Sequence, residues 1–448
     1  MKKLALVFWG FFMTVTGLWL LADSPIPDPL NYFSFRATYV QYTGIVSILM
    51  FATAILLALR PKVVEQPLDG LDKMYRLHKW LGIGGLTFAV IHWWLAQGTK
   101  WMVSWGWLAG QQRRQRGAPD LSGIEQWLHQ QRHLAESIGE WAFYGAAVLI
   151  VLALIKAFPY YWFHKTHKLL AVVFLALVWH SLILMDSSYW SQPLFWISVA
   201  LLISASLASI LILLKQVGRK RQIQGVIQSL NYYPGVHVIE GSVQLEPGWP
   251  GHEPGQFAFV TSEQAEGAHP YTIASAWDEQ QHSLTFIVKA LGDWTRQLPD
   301  RLQVGATVKV EGPYGCFTFK DSPPRQIWIG AGIGITPFVA AMKFRANASQ
   351  SNAPLQEVDL FHVTSDYDQG AIDKLTADAK AANIRLHLWV TPKDGRLTPD
   401  QIRATVTDWQ QSSIWFCGPM AFGAALRQDF IGHGLTPQHF HQELFEMR

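Results

Sequence analysis

The chain has 448 residues, half of them hydrophobic, with 21 tryptophans and only 15% charged residues. That length allows two or three domains and that composition suits a membrane protein, while a net charge of +3 is too small to argue for a nucleic-acid partner. The only cysteines, Cys316 and Cys417, exclude a four-thiolate iron–sulfur cluster and any Cys/His zinc spacing.

Met1-Lys-Lys opens an apolar run from Leu4 to Ala22. A basic start would suit a secretory signal, but the run is long and Leu21-Ala22-Asp23 is a poor cleavage site, so a first membrane helix is expected. Further apolar runs cover Val40 to Leu59, Leu77 to Ala96, Trp141 to Ile155, His167 to Leu184 and Leu194 to Leu214. Each is long enough, or nearly so, to span a bilayer. The basic residues at Lys2–Lys3, Arg60–Arg76, Lys156–Lys168 and Lys215–Arg221 fall on one side of this arrangement. The positive-inside rule makes that side the cytoplasm, with both termini there. Both cysteines then lie in a cytosolic half, where a structural disulfide is not expected.

Two of the runs carry histidines. His78 and His92 lie in one, His167 and His180 in another. An unpaired imidazole in hydrocarbon is costly, so each is a functional candidate. Two such helices can hold two haems by bis-histidine ligation, His78 with His167 toward the inner face and His92 with His180 toward the outer. At ~1.5 Å per residue, His78 and His92 are separated by ~21 Å, which fits a ~30 Å hydrocarbon core. At ~100° per residue, they face within about 40° of each other, but His167 and His180 differ by about 140°. A kink, a twist or different rotamers must absorb that difference, and His164 does not, since its spacing to His180 is worse. Gly82, Gly84 and Gly85 clear room for a flat macrocycle or a close neighbour helix. The plain alternative for any one histidine is a paired or interfacial side chain. Phe174, in the second run, either fills the space between the two levels or faces lipid.

The segment from Gln97 to Ile138 falls outside the membrane, yet it carries Lys100, Arg113, Arg114, Arg116 and Arg132. One reading is an amphipathic cap, with Ile124, Trp127, Leu128 and Leu134 at helical spacing and Trp101, Trp105 and Trp107 at the interface. The other is a basic mouth that attracts an anionic acceptor or holds haem propionates.

After Arg221 the pattern becomes short alternating strands: Gln222 to Leu230, His237 to Leu245, Gln256 to Thr261, Ser283 to Ala290 and Ala306 to Glu311. Pro-Gly turns punctuate them, which predicts a small antiparallel β-barrel. From Arg325 strands alternate with helices: Gln326 to Gly330, Val358 to Val363, Arg385 to Val390 and Ile414 to Cys417. That implies an α/β domain with a parallel sheet and a nucleotide at its carboxyl edge. Gly330-Ala-Gly-Ile-Gly-Ile-Thr-Pro337 sits between strand and helix, where glycines Gly330, Gly332 and Gly334 let a pyrophosphate approach, and Thr336 and Pro337 open the helix. A tight structural turn is the alternative. His269-Pro270-Tyr271-Thr272-Ile-Ala-Ser275 places an aromatic ring beside hydroxyls, as a flavin site would. Gly292 and Thr295 are placed to cap a short helix, a second possible phosphate seat. Phe416-Cys417-Gly418-Pro419 puts a thiol at a strand's carboxyl end, where it could also be core. Phe445 is an isolated aromatic near the chain end.

Together these pieces resemble the ferric reductase and NADPH oxidase family of transmembrane flavocytochromes, here as a bacterial member with a ferredoxin-NADP reductase-like C-terminal module. The histidine spacings of 14 and 13 are similar to the family's haem-ligand pattern. The resemblance implies a six-helix transmembrane cytochrome b bundle at 1–218, an FAD-binding antiparallel β-barrel at 219–321 and an NAD(P)H-binding α/β domain at 322–448. His269 to Ser275 resembles a flavin motif with Tyr271 in place of Phe, and Gly292-Asp-Trp-Thr295 another. Val288 and Lys289 join that implied cofactor-binding set, as do Gly418 and Pro419 on the nucleotide side. Cys417 and Phe445 are implied in catalysis, Phe445 as an aromatic covering the flavin.

The expected cofactors are FAD, two haems b and NADPH or NADH, and the expected place is the bacterial inner membrane. Electrons would pass from cytosolic NAD(P)H to a small-molecule acceptor outside, either a ferric chelate or oxygen, giving superoxide. A partner protein is not required. A relay subunit feeding quinone or a periplasmic enzyme is the alternative, and a haem transporter a third that leaves the nucleotide motifs unexplained. Thr364 and Ser365 could bind a 2′-phosphate, while Asp366 argues for NADH.

Overall fold

The computed structural model describes residues 2–109, 123–348 and 356–443. The chain divides into two compact units, the first ending at Val217 and the second, which also takes in Asp69–Asp72, starting at Gly218.

In the first unit the long helices are α1 (Lys2–Ala22), α2 (Tyr32–Ala58), α3 (Leu71–Ser104), α4 (Gly123–Leu154), α5 (Tyr160–Leu184) and α6 (Pro193–Leu213). Among the described residues, all but α3 are long and apolar enough to cross a membrane. The histidines, the glycines and the polar ends of α3 dilute its hydropathy. The start of α2 is fixed by a capping box: the Asn31 side chain accepts from the backbone N–H of Phe33 and Ser34, and Asn31 N–H donates to Ser34 Oγ. Pro193 opens α6 at a position where its missing N–H is harmless.

Two helices outrun their apolar runs. α3 continues to Ser104 and α4 begins at Gly123, so much of the predicted Gln97–Ile138 loop is helix continuous with its neighbours. The amphipathic residues Ile124, Trp127, Leu128 and Leu134 form the first turns of α4 itself, with Trp127 meeting Trp179 of α5. Polar residues at both ends hid these extensions, because apolar runs mark only the part of a helix that needs hydrocarbon. Arg113, Arg114 and Arg116 lie outside the described residues.

The second unit opens with a six-stranded antiparallel sheet: β1 (Gln222–Tyr233), β2 (Val238–Leu245), β3 (Phe257–Thr261), β4 (His269–Thr272), β5 (Ser283–Lys289) and β6 (Thr307–Tyr314). Its order is β4-β3-β6-β1-β2-β5, and a bridge between Ile273 and Phe286 joins its two ends. Helix α7 (Asp293–Arg301) follows β5. A five-stranded parallel sheet comes next: β7 (Arg325–Ala331), β8 (Glu357–Thr364), β9 (Arg385–Val390), β10 (Ser412–Cys417) and β11 (Phe440–Glu443), in the order β11-β10-β7-β8-β9. Helices α8 (Thr336–Ala348), α9 (Gln369–Ala381) and α10 (Met420–Gly432) run between its strands.

The parallel sheet is buried on both faces, as parallel sheets generally are. On one face Trp328 and Trp415 pack with Phe338 and Met342. On the other, Ile327, Ile329, Ile414 and Phe416 pack with Leu426 and Phe430. Period-2 alternation along β7 and β10 therefore sends large apolar side chains both ways.

An ion network ties β8 to β9. Arg385 donates to both oxygens of Asp359, at 2.9 and 2.8 Å, and His387 Nε2 donates to the same carboxylate at 2.9 Å. Burial alone would raise the Asp359 carboxyl, but these hydrogen bonds and charges outweigh it and hold the group well below the ordinary carboxylate range. Its contribution is therefore complete above about pH 4 and is lost as pH falls through the depressed native value. Asp359→Asn is expected to cost about 1–3 kcal/mol at neutral pH. That would be read as an earlier thermal transition of the purified full chain, with the gap from the unsubstituted protein narrowing at low pH.

Candidate functional site

The first unit brings the four membrane histidines into two pairs. The His78 and His167 ring centroids are 5.9 Å apart, and those of His92 and His180 are 6.1 Å apart. Two imidazole nitrogens on opposite sides of one metal, each at ~2 Å, set ring centroids about 6 Å apart. The pairs thus have the separation of axial ligand pairs.

Neighbouring backbone fixes the tautomers. His78 Nδ1 donates to Ala54 O at 2.8 Å and His92 Nδ1 to Val40 O at 2.9 Å, both on α2. His180 Nδ1 donates to Ala135 O of α4 at 2.8 Å. A metal-ligating histidine commonly donates its other N–H in this way, which leaves Nε2 free to coordinate. His167 Nδ1 is buried with no hydrogen-bond partner among the described residues, and its ring stacks on Phe163 at 5.0 Å. His167 thus lacks the carbonyl that orients the other three rings, and the Phe163 stack is its described neighbour on that element. The residues present therefore fit haem at both levels.

Two glycines make room for the outer pair. A Cβ on Gly139 would lie 2.0 Å from His180 Nδ1, and one on Gly44 would lie 3.1 Å from the His92 ring. Of the three glycines singled out on α3, Gly84 and Gly85 pack on Met50 and Phe51 of α2, whereas Gly82 has open space above it. The 140° offset between His167 and His180 is met without a break, since α5 is one continuous helix. Both rings nonetheless reach their partners on α3. Phe174 is 3% exposed, so it packs inside this unit and does not face lipid.

In the second unit the flavin candidates cluster near β4. His269 stacks between Tyr271 (6.3 Å, 13°) and Trp294 (5.9 Å, 16°). Pro270 pairs across from Phe259, and Thr272 is buried. Ser275 Oγ accepts from Thr285 N–H, so its hydroxyl serves the strand pairing. Gly292 is the N-cap of α7, and Thr295 Oγ1 accepts from the N–H of Leu291 and Gly292, both at 2.9 Å. Trp294, which the motif contained but the residue-level reading passed over, is buried with its indole N–H unpartnered among the described residues.

A cavity between the two sheets is lined by Lys289, Gly332, Ile333, His362, Thr364 and Asp366, among others. Val288 lies opposite Ile239 and Lys289 opposite Val238, which carries the lysine to this cavity. Gly332 has a left-handed φ of +57° and open space where a Cβ would stand, so the turn can receive a ligand closely. Gly334 rests on the Cys417 carbonyl, where a Cβ would come within 2.2 Å. Gly330 packs against Phe338, while Thr336 Oγ1 donates to Ile333 O inside the turn and Pro337 is buried in α8.

Cys417 is fully buried at the carboxyl end of β10, and Gly418 and Pro419 lead from it into α10. Burial first, then the charge of Glu443 across the β10–β11 pairing, pushes its thiol well above the ordinary range, so it stays protonated. Burial lowers His362 to about 4 despite its hydrogen bond to Gly330 O, which makes it a neutral imidazole at pH 7. Lys289 pairs with Asp366 and holds that carboxyl below its usual range. Glu240 of β2, also buried, is gripped by Lys374 of α9. Neither partnership was legible in sequence, because the residues lie about 80 to 130 positions apart. Phe445 lies outside the described residues.

Residues 43–178 match the family described as the ferric reductase like transmembrane component, and residues 226–318 match an FAD-binding domain. The chain is a homologue of ferric reduction oxidases and respiratory burst oxidases. It is 28% identical over 278 residues to respiratory burst oxidase homolog protein E of Arabidopsis thaliana, covering 54% of this chain and 28% of that protein. It is 29% identical over 154 residues to ferric reduction oxidase 4 of the same plant, covering 32% and 22%. The glycine betaine monooxygenase reductase subunit of Chromohalobacter salexigens is 28% identical over 211 residues, covering 43% of this chain and 56% of the subunit. The chain thus spans about a quarter to half of these relatives. It is a membrane protein with the domains of a transmembrane flavin oxidoreductase.

Gly139→Val is expected to push the His180 ring off the Ala135 carbonyl while leaving His78 and His167 in place. Pyridine haemochrome analysis of the purified variant should then show about half of the unsubstituted haem per chain.

Proposed function

We propose that this chain is a transmembrane NAD(P)H oxidoreductase, passing electrons from a cytosolic nicotinamide nucleotide through FAD and two haems b to an acceptor outside. The observation that carries this reading is the pair of facing histidines at each of two levels, 5.9 and 6.1 Å between centroids. It is supported by the order of the domains, with a ferric-reductase-like helical unit first and a flavin domain after it.

When bound, the flavin supplies exchange between a hydride and single electrons, and the haems supply a path across the bilayer. The chain's own residues position these groups. His78 with His167, and His92 with His180, would hold the two haems, with α2 and α4 carbonyls holding three of the four rings in one tautomer. With two histidines held for each haem, the haem iron would have no open position, and it would supply outer-sphere electron transfer to the acceptor. His269, Pro270, Tyr271, Thr272 and Trp294 form the flavin's aromatic and hydroxyl wall. The turn from Gly330 to Gly334, with the free N–H groups that open α8, receives the nucleotide's phosphates. Cys417, a neutral thiol at the end of β10, would border the nicotinamide, and the role of flavin cover falls to Phe445, which lies outside the described residues.

In this reading six helices span the inner membrane of a bacterium with both termini in the cytoplasm, and the domains are 1–218, 219–321 and 322–448. The acceptor is a ferric chelate or oxygen. NADPH is the favoured donor, because Lys289 neutralises Asp366, the carboxylate that would otherwise repel a 2′-phosphate.

An anaerobic absorption spectrum of the detergent-purified protein with FAD, before and after NADPH, tests the whole path. Sharp reduced b-type bands from two haems per chain are expected. Flavin bleaching with unchanged haem bands would point instead to a relay that needs a partner, and a protein without haem would end the proposal. His92→Leu and His180→Leu should each remove the outer haem alone; full haem content in either would refute the pairing. A lower KM for NADPH than for NADH is expected, and the reverse would overturn the donor assignment.

A further inference from the structure

The last strand of the second unit is short. β11 has four residues at the edge of the parallel sheet and pairs with β10 alone, Ile414 to Cys417 opposite Phe440 to Glu443. So short an edge strand is prone to open locally. Yet it carries Glu443, which is buried and stands opposite Cys417.

Two histidines tie this strand to a point outside the sheet. His439 Nδ1 donates to Asp321 Oδ2 at 2.9 Å, and His441 Nε2 donates to the same oxygen at 2.7 Å. The His441 ring also lies flat on Trp415, with 3.9 Å between centroids and 15° between planes. Within β11, His441 and Glu443 are two residues apart and share one face, while Phe440 enters the core on the other. The anchor is itself fixed. Asp321 belongs to the segment joining β6 to β7, whose Phe317 and Phe319 pack on Trp415 at 5.1 and 5.2 Å. Phe319 O accepts from Gln326 Nε2 of β7 at 2.9 Å. Burial alone would raise the Asp321 carboxyl, but hydrogen bonds from His441, His439 and the Ser322 N–H outweigh it and hold the group below its usual range.

An ordinary ion pair falls short as an account. Such pairs near a surface add little stability, and one histidine would suffice for it. Here one donor precedes β11 and the other lies inside it, so the carboxylate fixes the strand lengthwise. In a four-residue pairing a slip of two positions would keep every side chain on its face and still move Glu443 away from Cys417.

We propose that Asp321, acting through His439 and His441, is a positioning residue that pins the register of β11 and so holds Glu443 against the end of β10. This rests on the function proposed above, in which Cys417 borders the nicotinamide. The step it serves is hydride transfer, in which a hydrogen and its electron pair leave the nicotinamide and join the flavin. The phosphate seat at Gly330–Gly334 belongs to β7 and the turn before α8, not to β11. Loss of the pin therefore slows transfer and spares nucleotide binding.

The test is anaerobic stopped-flow bleaching of the flavin by NADPH in the full chain, purified in detergent with FAD. It compares the unsubstituted protein with Asp321→Ala, Asp321→Asn and His439→Ala, and amide hydrogen exchange is followed in each. Asp321→Ala should lower the limiting rate about tenfold, with the apparent Kd for NADPH within about twofold. Exchange should quicken at Ile414–Cys417 and Phe440–Glu443. Asp321→Asn, whose amide oxygen can accept both N–H groups, should restore most of the rate and the protection. His439→Ala, which leaves the His441 bond and its stack, should fall between. Faster exchange with an unchanged rate in Asp321→Ala would make the clamp structural only and overturn the proposal. A higher Kd at an unchanged limiting rate, or a slower rate without faster exchange, would overturn it too. If Asp321→Ala does not retain FAD, His439→Ala decides, and an unsubstituted rate there counts against the pin. Bleaching of the unsubstituted protein by neither NADPH nor NADH would instead defeat the underlying function, and this proposal with it.

Discussion

The helical unit is arranged around the cost of placing four imidazoles among apolar side chains. Each ring offers two nitrogens, and leaving either one unpaired in an apolar interior is expensive. The structure meets this cost with backbone carbonyls on one side of three rings, and on the other side it sets the rings in facing pairs. Val40 and Ala54 are fourteen residues apart on α2, as are His92 and His78 on α3. Because α2 carries both acceptors, it sets the direction of both α3 histidines at once. It is also the most deeply buried of the candidate spans.

Missing side chains matter as much as present ones. Gly139 lets α4 lie against the His180 ring, and Gly334 lets the glycine-rich turn lie against the Cys417 carbonyl. In each place a single Cβ would stand where a functional group already is. One contact seats the His180 ring, and the other sets the glycine-rich turn against the carboxyl end of β10. The two units therefore use the same device for different chemistry.

Charge does its work in the second unit by joining its two sheets. Lys289 on β5 meets Asp366 after β8, and Lys374 on α9 meets Glu240 on β2. Both pairs line the cavity that the glycine turn opens into. The cavity walls thus come from two sheets held together by ion pairs, and the lysines in them are already paired with carboxylates.

Much of this protein could be read without its structure. Long apolar runs have no solution in water or lipid except helices, so the membrane unit was legible. Period-2 strands and a Gly330–Pro337 turn before an apolar helix marked the antiparallel and parallel sheets for the same kind of reason. The histidine pairing followed from one residue on each of two helices at each of two levels. What only the tertiary structure decided were relations between distant positions: which carbonyls orient the rings, that Gly139 rather than Gly82 makes room at His180, that Phe174 is buried, and that Asp366 is met by Lys289. The true lengths of α3 and α4 were decided there too. Local sequence fixes what a segment must bury, because burial is a property of side chains. It does not fix what a segment meets, because that depends on how helices and sheets far apart in the chain come to lie together.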